Sequence, residues 1–283
     1  MSDFERIYRT ATESLERGQT VALATVVRVR GSAPRHDGAR MLIWADGRIQ
    51  GTVGGATLEQ RVIADARRAL GERQSRLERY VFNTHDDPES VGLCGGSVEV
   101  HIEVLEPEST LVVIGAGHIA RPLAQMASLI GMQIRVVDDR AEFADRARFP
   151  EGAEVARVAY DAPSEALAPL PVALTPSSYV VVATWGWDEP ALAQILAADP
   201  PPAYVGLVAS STKARVLRER LMQHGLSAEA VGRIRAPVGL DLGAETPEEI
   251  ALSILAEILS VRRRASGAPL QESRRKRPSP QSS

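Results

Sequence analysis

Phe4, Ile7, Tyr8, Ala11 and Leu15 recur at helical spacing and stop before Gly18, which predicts an amphipathic helix ended by a glycine. The period then changes. Residues 20–29 are dense in β-branched side chains, residues 41–44 form a short apolar run, and Ala45, Asp46 and Gly47 turn the chain into residues 48–53, so a strand and a hairpin are expected. After Gly54 and Gly55 the helical period returns, with Leu58, Val62 and Ala66 on one face of a helix running to Leu70. Beyond residues 76–82, the segment 83–88 reads as irregular and residues 97–105 alternate as a further strand.

A polar connector, residues 106–110, separates this half from a different pattern. The apolar run 111–114 leads directly into Gly115-Ala116-Gly117-His118-Ile119-Ala120, a G-x-G-x-x-A turn, followed by a helix to about Ile130 and a strand over 133–137. Strand candidates at 154–158, 178–183 and 203–208 then alternate with helices at 189–198 and 212–225, the order of a doubly wound parallel sheet. Residues 237–243 are turn-rich. Thr246, Pro247 and Glu249 supply a cap, a proline at the first helical position and a capping-box glutamate, so the acidic start of the last helix reads as capping. Ile250, Ile254, Leu255 and Ile258 give that helix its apolar face. The expected architecture is α/β: an N-terminal mixed α/β domain with β-hairpins over 1–106, a Rossmann-like doubly wound parallel sheet over 111–262, and a tail over 263–283 rich in Arg, Pro and Ser. With no hydrophobic period, the tail is expected to be disordered, either a plain solvated extension or an electrostatic recruiter of an acidic partner or nucleic acid.

Composition narrows the class. The chain has 283 residues, 44% of them hydrophobic and 24% charged, enough for two cores. No apolar run approaches the ~18 residues of a membrane span, and the first ten residues lack the apolar centre of an export signal. With one cysteine, these features point to the cytoplasm and to no stable membrane insertion. A net charge of −3 argues against a dedicated nucleic-acid surface.

The candidate chemistry begins with that cysteine. Cys94 lies within Val91-Gly92-Leu93-Cys94-Gly95-Gly96, where missing Cβ atoms leave backbone N–H groups open to a ligand or a thiolate. It is either a reactive sulfur or a small buried hydrophobe. Glycine-flanked loops recur at 31–38, 51–55 and 92–96, each attached to an expected strand end, and if those ends converge they line one pocket holding Cys94. His85 has no His-x-x-x-His or Cys-x-x-Cys partner and reads as a loop histidine. In the G-x-G-x-x-A turn, Gly115 makes the tight bend, Gly117 lets a pyrophosphate approach, and Ala120 lets the helix pack on the sheet. Asp138 follows Gly117 by 138 − 117 = 21 residues, near the ~20 expected of an acid that accepts ribose hydroxyls.

Taken together, Gly31-Ser32-Ala33-Pro34-Arg35, Gly51-Thr52-Val53-Gly54-Gly55, Leu93-Cys94-Gly95-Gly96, Gly115-Ala116-Gly117-His118, Val137-Asp138-Asp139-Arg140 and the stretch 236–251 resemble the XdhC/CoxI family of accessory proteins for molybdenum hydroxylases. The resemblance runs from about Val21 to Arg262. It implies a chaperone that binds the molybdenum cofactor, as molybdopterin or its cytosine dinucleotide. Such a protein shelters the cofactor while a cysteine desulfurase installs the terminal sulfur, then delivers it to an apo-hydroxylase of the xanthine or carbon monoxide dehydrogenase type. An accessory factor rather than a catalyst is implied, as is a homodimer.

Carried residue by residue, the implied cofactor-binding set is Ser32, Pro34, Arg35, Gly54, Gly55, Glu59, Cys94, Gly95, Gly96, Gly115, Gly117, His118, Asp138, Asp139, Arg140, Ser210, Lys213, Gly239 and Asp241, with Cys94 the candidate contact to molybdenum. Ala56 departs from relatives that carry glycine or cysteine there, and Thr184-Trp185-Gly186-Trp187-Asp188 lacks their histidines. Trp185 and Trp187 either stack on a pterin or nucleotide ring or pack in a core or interface. Ser210 and Lys213 either contact phosphate or cap a helix. The competing readings are an NAD(P)-dependent oxidoreductase, which lacks a Ser-Tyr-x-x-x-Lys or paired His/Asp arrangement, and a nucleotide-sensing regulator.

Overall fold

The computed structural model describes residues 2–31, 37–82 and 96–273. The chain divides into two compact units, Met1–Glu108 and Ser109–Ser283.

The first unit runs α1 (Asp3–Glu16), β1 (Val21–Arg30), β2 (Arg40–Trp44), β3 (Ile49–Gly51), α2 (Ala56–Glu72), β4 (Arg76–Val81) and β5 (Ser97–Leu105). The five strands make an antiparallel sheet of order β3-β2-β1-β5-β4. Central β1 is buried on both faces, which explains its dense β-branched run. Ala22, Ala24 and Val26 pack with Leu58, Val62 and Ala66 of α2, while Val21 and Leu23 pack with Ile7 and Ala11 of α1 and with Trp44. Phe4 and Tyr8, expected on the buried face of α1, are exposed instead. Their rings meet each other at 4.6 Å and sit under the Arg40 guanidinium at 4.9 and 5.6 Å.

The second unit runs β6 (Thr110–Ile114), α3 (Ala120–Leu129), β7 (Gln133–Asp138), β8 (Glu154–Arg157), β9 (Tyr160–Asp161), β10 (Ala166–Leu167), β11 (Ser178–Val182), α4 (Asp188–Leu196), β12 (Tyr204–Leu207), α5 (Ser211–Gln223), α6 (Ala228–Gly232), β13 (Ile234–Arg235), α7 (Pro247–Arg263) and α8 (Leu270–Ser273). Six of these strands form a parallel sheet of order β13-β12-β11-β6-β7-β8, the doubly wound arrangement expected. Alternation along β6 sorts the two faces. Leu111 and Val113 join the core under α3 and α7, and Val112 and Ile114 join the core under α4 and α5. Gln194 ties down the stretch before β11, donating its amide to the Leu167 and Ala168 carbonyls and accepting the Leu170 N–H.

Part of the stretch expected as a tail lies within the described residues. α7 continues through Arg263, Arg264 turns in the left-handed region (φ 52°), and the Ala265 N–H donates to the Ser260 carbonyl at 2.8 Å. The small residues that follow permit close packing, since a Cβ on Gly267 would lie 3.4 Å from the Leu240 side chain. Residues 274–283 lie outside the described residues. No helix among the described residues is long and apolar enough to cross a membrane.

Candidate nucleotide-type site

From β6 the chain passes to β7 and β8 on one side and later crosses to β11 on the other, so the switch in strand order falls between β6 and β11. In sheets of this kind the ligand crevice opens at the carboxyl ends of those two strands. The turn after β6 is tightly built there. Gly115 has φ +100°, and a Cβ on it would lie 2.3 Å from the Ala183 carbonyl oxygen, so glycine is the residue that fits. Its N–H donates to the Val137 carbonyl at 2.7 Å. A pocket of about 290 Å³ opens beside the turn, lined by Gly117, His118, Arg140, Phe143, Thr184 and Trp185 among others. A Cβ on Gly117 would meet nothing within 4 Å. The N–H groups of Gly117 and His118 make no hydrogen bond among the described residues. Trp185, 88% exposed, stands at the rim.

Asp138, expected to take ribose hydroxyls, does other work. Its side chain is fully buried. Oδ2 accepts the Ala116 N–H at 2.6 Å and Arg140 Nη2 at 2.9 Å. Oδ1 accepts the Arg140 N–H and Nε, both at 2.9 Å. With four donors on two oxygens, the carboxylate clasps the glycine turn to the end of β7 and presents no acceptor to a ligand. Burial by itself would raise its pKa, but the Arg140 side-chain and backbone bonds and the Ala116 N–H together hold it below the usual carboxylate value. Asp139 accepts Trp187 Nε1 at 3.0 Å, and Trp187 is buried in the core beneath α4. Of the two tryptophans weighed for ring stacking, only Trp185 faces the pocket.

Ser210, Lys213 and Gly239 are held by partners within this unit. Ser210 caps α5, accepting the Lys213 N–H at 3.3 Å. The Lys213 ammonium donates to Asp188 Oδ2 at 2.5 Å, and Thr184 Oγ1 donates to Asp188 Oδ1 at 2.9 Å. The buried Asp188 therefore links a pocket-lining hydroxyl to an ammonium on α5. Gly239 has φ +107°, with Ser253 Oγ only 2.3 Å from where a Cβ would be, and its N–H donates to Glu257 Oε2 at 2.7 Å. Glu257 also accepts the Tyr204 hydroxyl and Arg235, so Gly239 serves the packing of α7 on the sheet. Asp241 is exposed in the same loop. Neither Gly239 nor Asp241 lines the pocket.

In the first unit, Ser32, Pro34, Arg35, His85, Cys94 and Gly95 lie outside the described residues. The described flanks of two of the glycine loops meet at one end of the sheet, whereas Gly51, through Met41, lies level with Ala24 in the middle of β1. Ser97 pairs with both Arg30 and Val81, and Gly51 pairs with Met41 where β2 begins. The Gly96 carbonyl accepts the Phe82 N–H at 2.7 Å. Between β3 and α2, Thr52 Oγ1 donates to Glu59 Oε1 and accepts the Gly54 N–H, while Gly55 opens α2 with no side-chain cap. Glu59 is thus engaged by the turn itself. No group of three or more His, Cys, Asp and Glu among the described residues is placed to hold a metal.

The profile of the XdhC Rossmann domain matches residues 111–258, more than half of the chain, and that of the XdhC and CoxI family matches residues 14–81. This chain belongs to the XdhC and CoxI family. Among its relatives, the uncharacterized protein YqeB of Escherichia coli K12 is 40% identical over 265 residues, 92% of this chain and 47% of YqeB, so the chain spans about half the length of that relative. PaoD of the same organism, named a molybdenum cofactor insertion chaperone, is 28% identical over 286 residues, 92% of this chain and 89% of PaoD. A Bacillus subtilis 168 protein named as a probable xanthine dehydrogenase component is 25% identical over 329 residues, 88% of this chain and 96% of that protein.

Three features of this XdhC-family site were not anticipated from sequence. The clasp of Asp138 on Ala116 and the Asp188 link join residues from separate elements, while the pairing of Phe143 with two arginines is made within residues 140–148. Only the first had a readable signal, in the Asp138-Asp139-Arg140 string, where an arginine two residues beyond an acid can close back on it.

Proposed function

We propose that this chain is a molybdenum cofactor insertion chaperone, holding the cofactor and passing it to a molybdenum hydroxylase. The observation that carries the reading is the likeness to PaoD along nearly the whole of both chains, joined to a pocket that offers backbone donors and an aromatic face. At about 290 Å³ the pocket suits one end of such a cofactor, its phosphate and an adjoining ring, rather than the whole. The free N–H groups of Gly117 and His118 would take phosphate oxygens, and Trp185 would lie against the ring. The Cys94 thiolate would suit the molybdenum or its sulfur, a soft ligand for a soft centre. When bound, the cofactor supplies the redox centre that the client hydroxylase needs. The chain's own part is to bind, orient and shield it.

On this reading the partners are an apo-hydroxylase of the xanthine or carbon monoxide dehydrogenase type, a cysteine desulfurase, and a second copy of the chain in a homodimer working in the cytoplasm. An NAD-dependent oxidoreductase would need an open acceptor for the ribose diol, and Asp138 is committed to its clasp. The test is co-purification from cells making the cofactor. The protein is expected to retain a molybdopterin fluorophore, and Cys94→Ala is expected to weaken retention and activation of the client. A wild-type protein with no pterin, and a client indifferent to its absence, would overturn the proposal.

A further inference from the structure

On the β7 side of the pocket the chain sets two guanidinium groups around one ring. Arg140 lies 3.8 Å from the Phe143 centroid and Arg148 lies 4.6 Å from it. Arg148 is fixed there by its Nη1, which donates to the Phe143 carbonyl at 3.1 Å. Phe143 and Arg140 both line the pocket. Arg140 commits Nε and Nη2 to Asp138, and its Nη1 makes no hydrogen bond among the described residues.

In a doubly wound sheet the residues just beyond the second strand surround the ribose of the bound nucleoside. An open carboxylate there accepts the hydroxyl pair, and an arginine there accommodates a phosphate carried on it. Here the second strand is β7. Asp138 is buried with both oxygens filled, and Asp139 turns its carboxyl to Trp187, 3.9 Å from Arg140 Nε. Asp138 and Asp139 together outweigh Arg140, and the second guanidinium on Phe143 brings the charge of this corner back to balance, with Arg140 Nη1 left as its open donor. We infer that the pocket takes a small molecule bearing a phosphate monoester at its β7 side and discriminates against an unphosphorylated dinucleotide. The monoester would meet Arg140 Nη1 in the field of Arg148, with a flat heterocycle against the exposed Trp185.

The inference rests on the reading that this pocket holds the phosphate-bearing end of a cofactor. Its test is kept separate from pterin retention. NADP⁺ and NAD⁺ differ only in a phosphate monoester, and binding of each to the full chain is followed by calorimetry and by quenching of tryptophan fluorescence. NADP⁺ is expected to bind about tenfold more tightly or better, in line with the strength of charge-assisted bonds. Arg148→Ala should bring the ratio close to one, Arg148→Lys should keep most of it, and Trp185→Ala should weaken both ligands alike. Equal binding, tighter binding of NAD⁺, or no binding of either at millimolar concentration would overturn the inference. If pterin is retained while NADP⁺ shows no advantage, the charge assignment fails and the chaperone reading stands. The opposite pair of results removes the chaperone reading and leaves the phosphate site.

Discussion

Gly51 and Gly115 both end a strand at positive φ, and in both turns a carbonyl oxygen crowds the place of a Cβ, Arg40 O at 2.4 Å and Ala183 O at 2.3 Å. The two turns differ in what fastens them. After β3 the clasp is local, with Thr52 bridging to Glu59 seven residues later in the helix that the turn opens. After β6 the clasp comes from the neighbouring strand, where Asp138 reaches back 22 residues to the Ala116 N–H and is itself gripped by Arg140. A local clasp secures only its own helix start. The long-range clasp makes the geometry of a ligand-facing turn depend on the packing of the whole parallel sheet, and it uses up the carboxylate that such a turn would otherwise show to a ribose.

The largest effect should come from Gly115→Ala, where the new methyl meets a backbone oxygen and the φ is unfavourable for any side chain. A loss of about 3–5 kcal/mol is expected in the unfolding of the second unit. A loss below about 1 kcal/mol would show that the Ala183 contact relaxes cheaply. Next is Asp138→Asn, which breaks a buried pair and leaves Arg140 and the Ala116 N–H short of an acceptor, at about 2–4 kcal/mol. Because the folded-state pKa of Asp138 is lowered, its contribution is present above the unfolded value near 3.9 and is lost as pH falls further toward the folded value. An acid titration followed by circular dichroism should therefore show the wild type losing an advantage over Asp138→Asn below about pH 4. Identical acid profiles would mean that the clasp contributes nothing to stability.

Glu59→Gln probes the local clasp, with an expected cost of about 1 kcal/mol confined to the first unit. If the second unit melts earlier as well, the two turns are not independent and the contrast between them fails. Smallest are the open glycines. A Cβ at Gly55 or Gly117 meets nothing within 4 Å, so alanine at either should move stability by no more than about 0.5 kcal/mol. Gly117→Ala should still weaken ligand binding, since its N–H and its bare Cα face the pocket.

Much of this was readable from local pattern. The G-x-G-x-x-A turn after an apolar strand, the alternation of strands and helices, and the Thr246–Glu249 capping box all depend on neighbours in sequence. What escaped depended on partners brought together by the fold. Nothing in the spacing of Asp138 distinguishes a ribose acceptor from a clasp, because both roles place an acid at the end of the second strand. Trp185 and Trp187 are two residues apart and chemically alike, yet one is exposed at the pocket and the other is buried under α4. Arg264 to Ser273 carry no hydrophobic period, and what ties them to the rest is the Ala265 N–H on the Ser260 carbonyl and the approach of Gly267 to Leu240.

What the purified protein carries separates a cofactor chaperone from a nucleotide enzyme. Mass spectrometry of small molecules released from the full chain, made in cells that synthesise the cofactor, should find molybdopterin or its cytosine dinucleotide in near-stoichiometric amount, reduced in Cys94→Ala. Finding NAD(H) in its place, or no pterin at all, would contradict it.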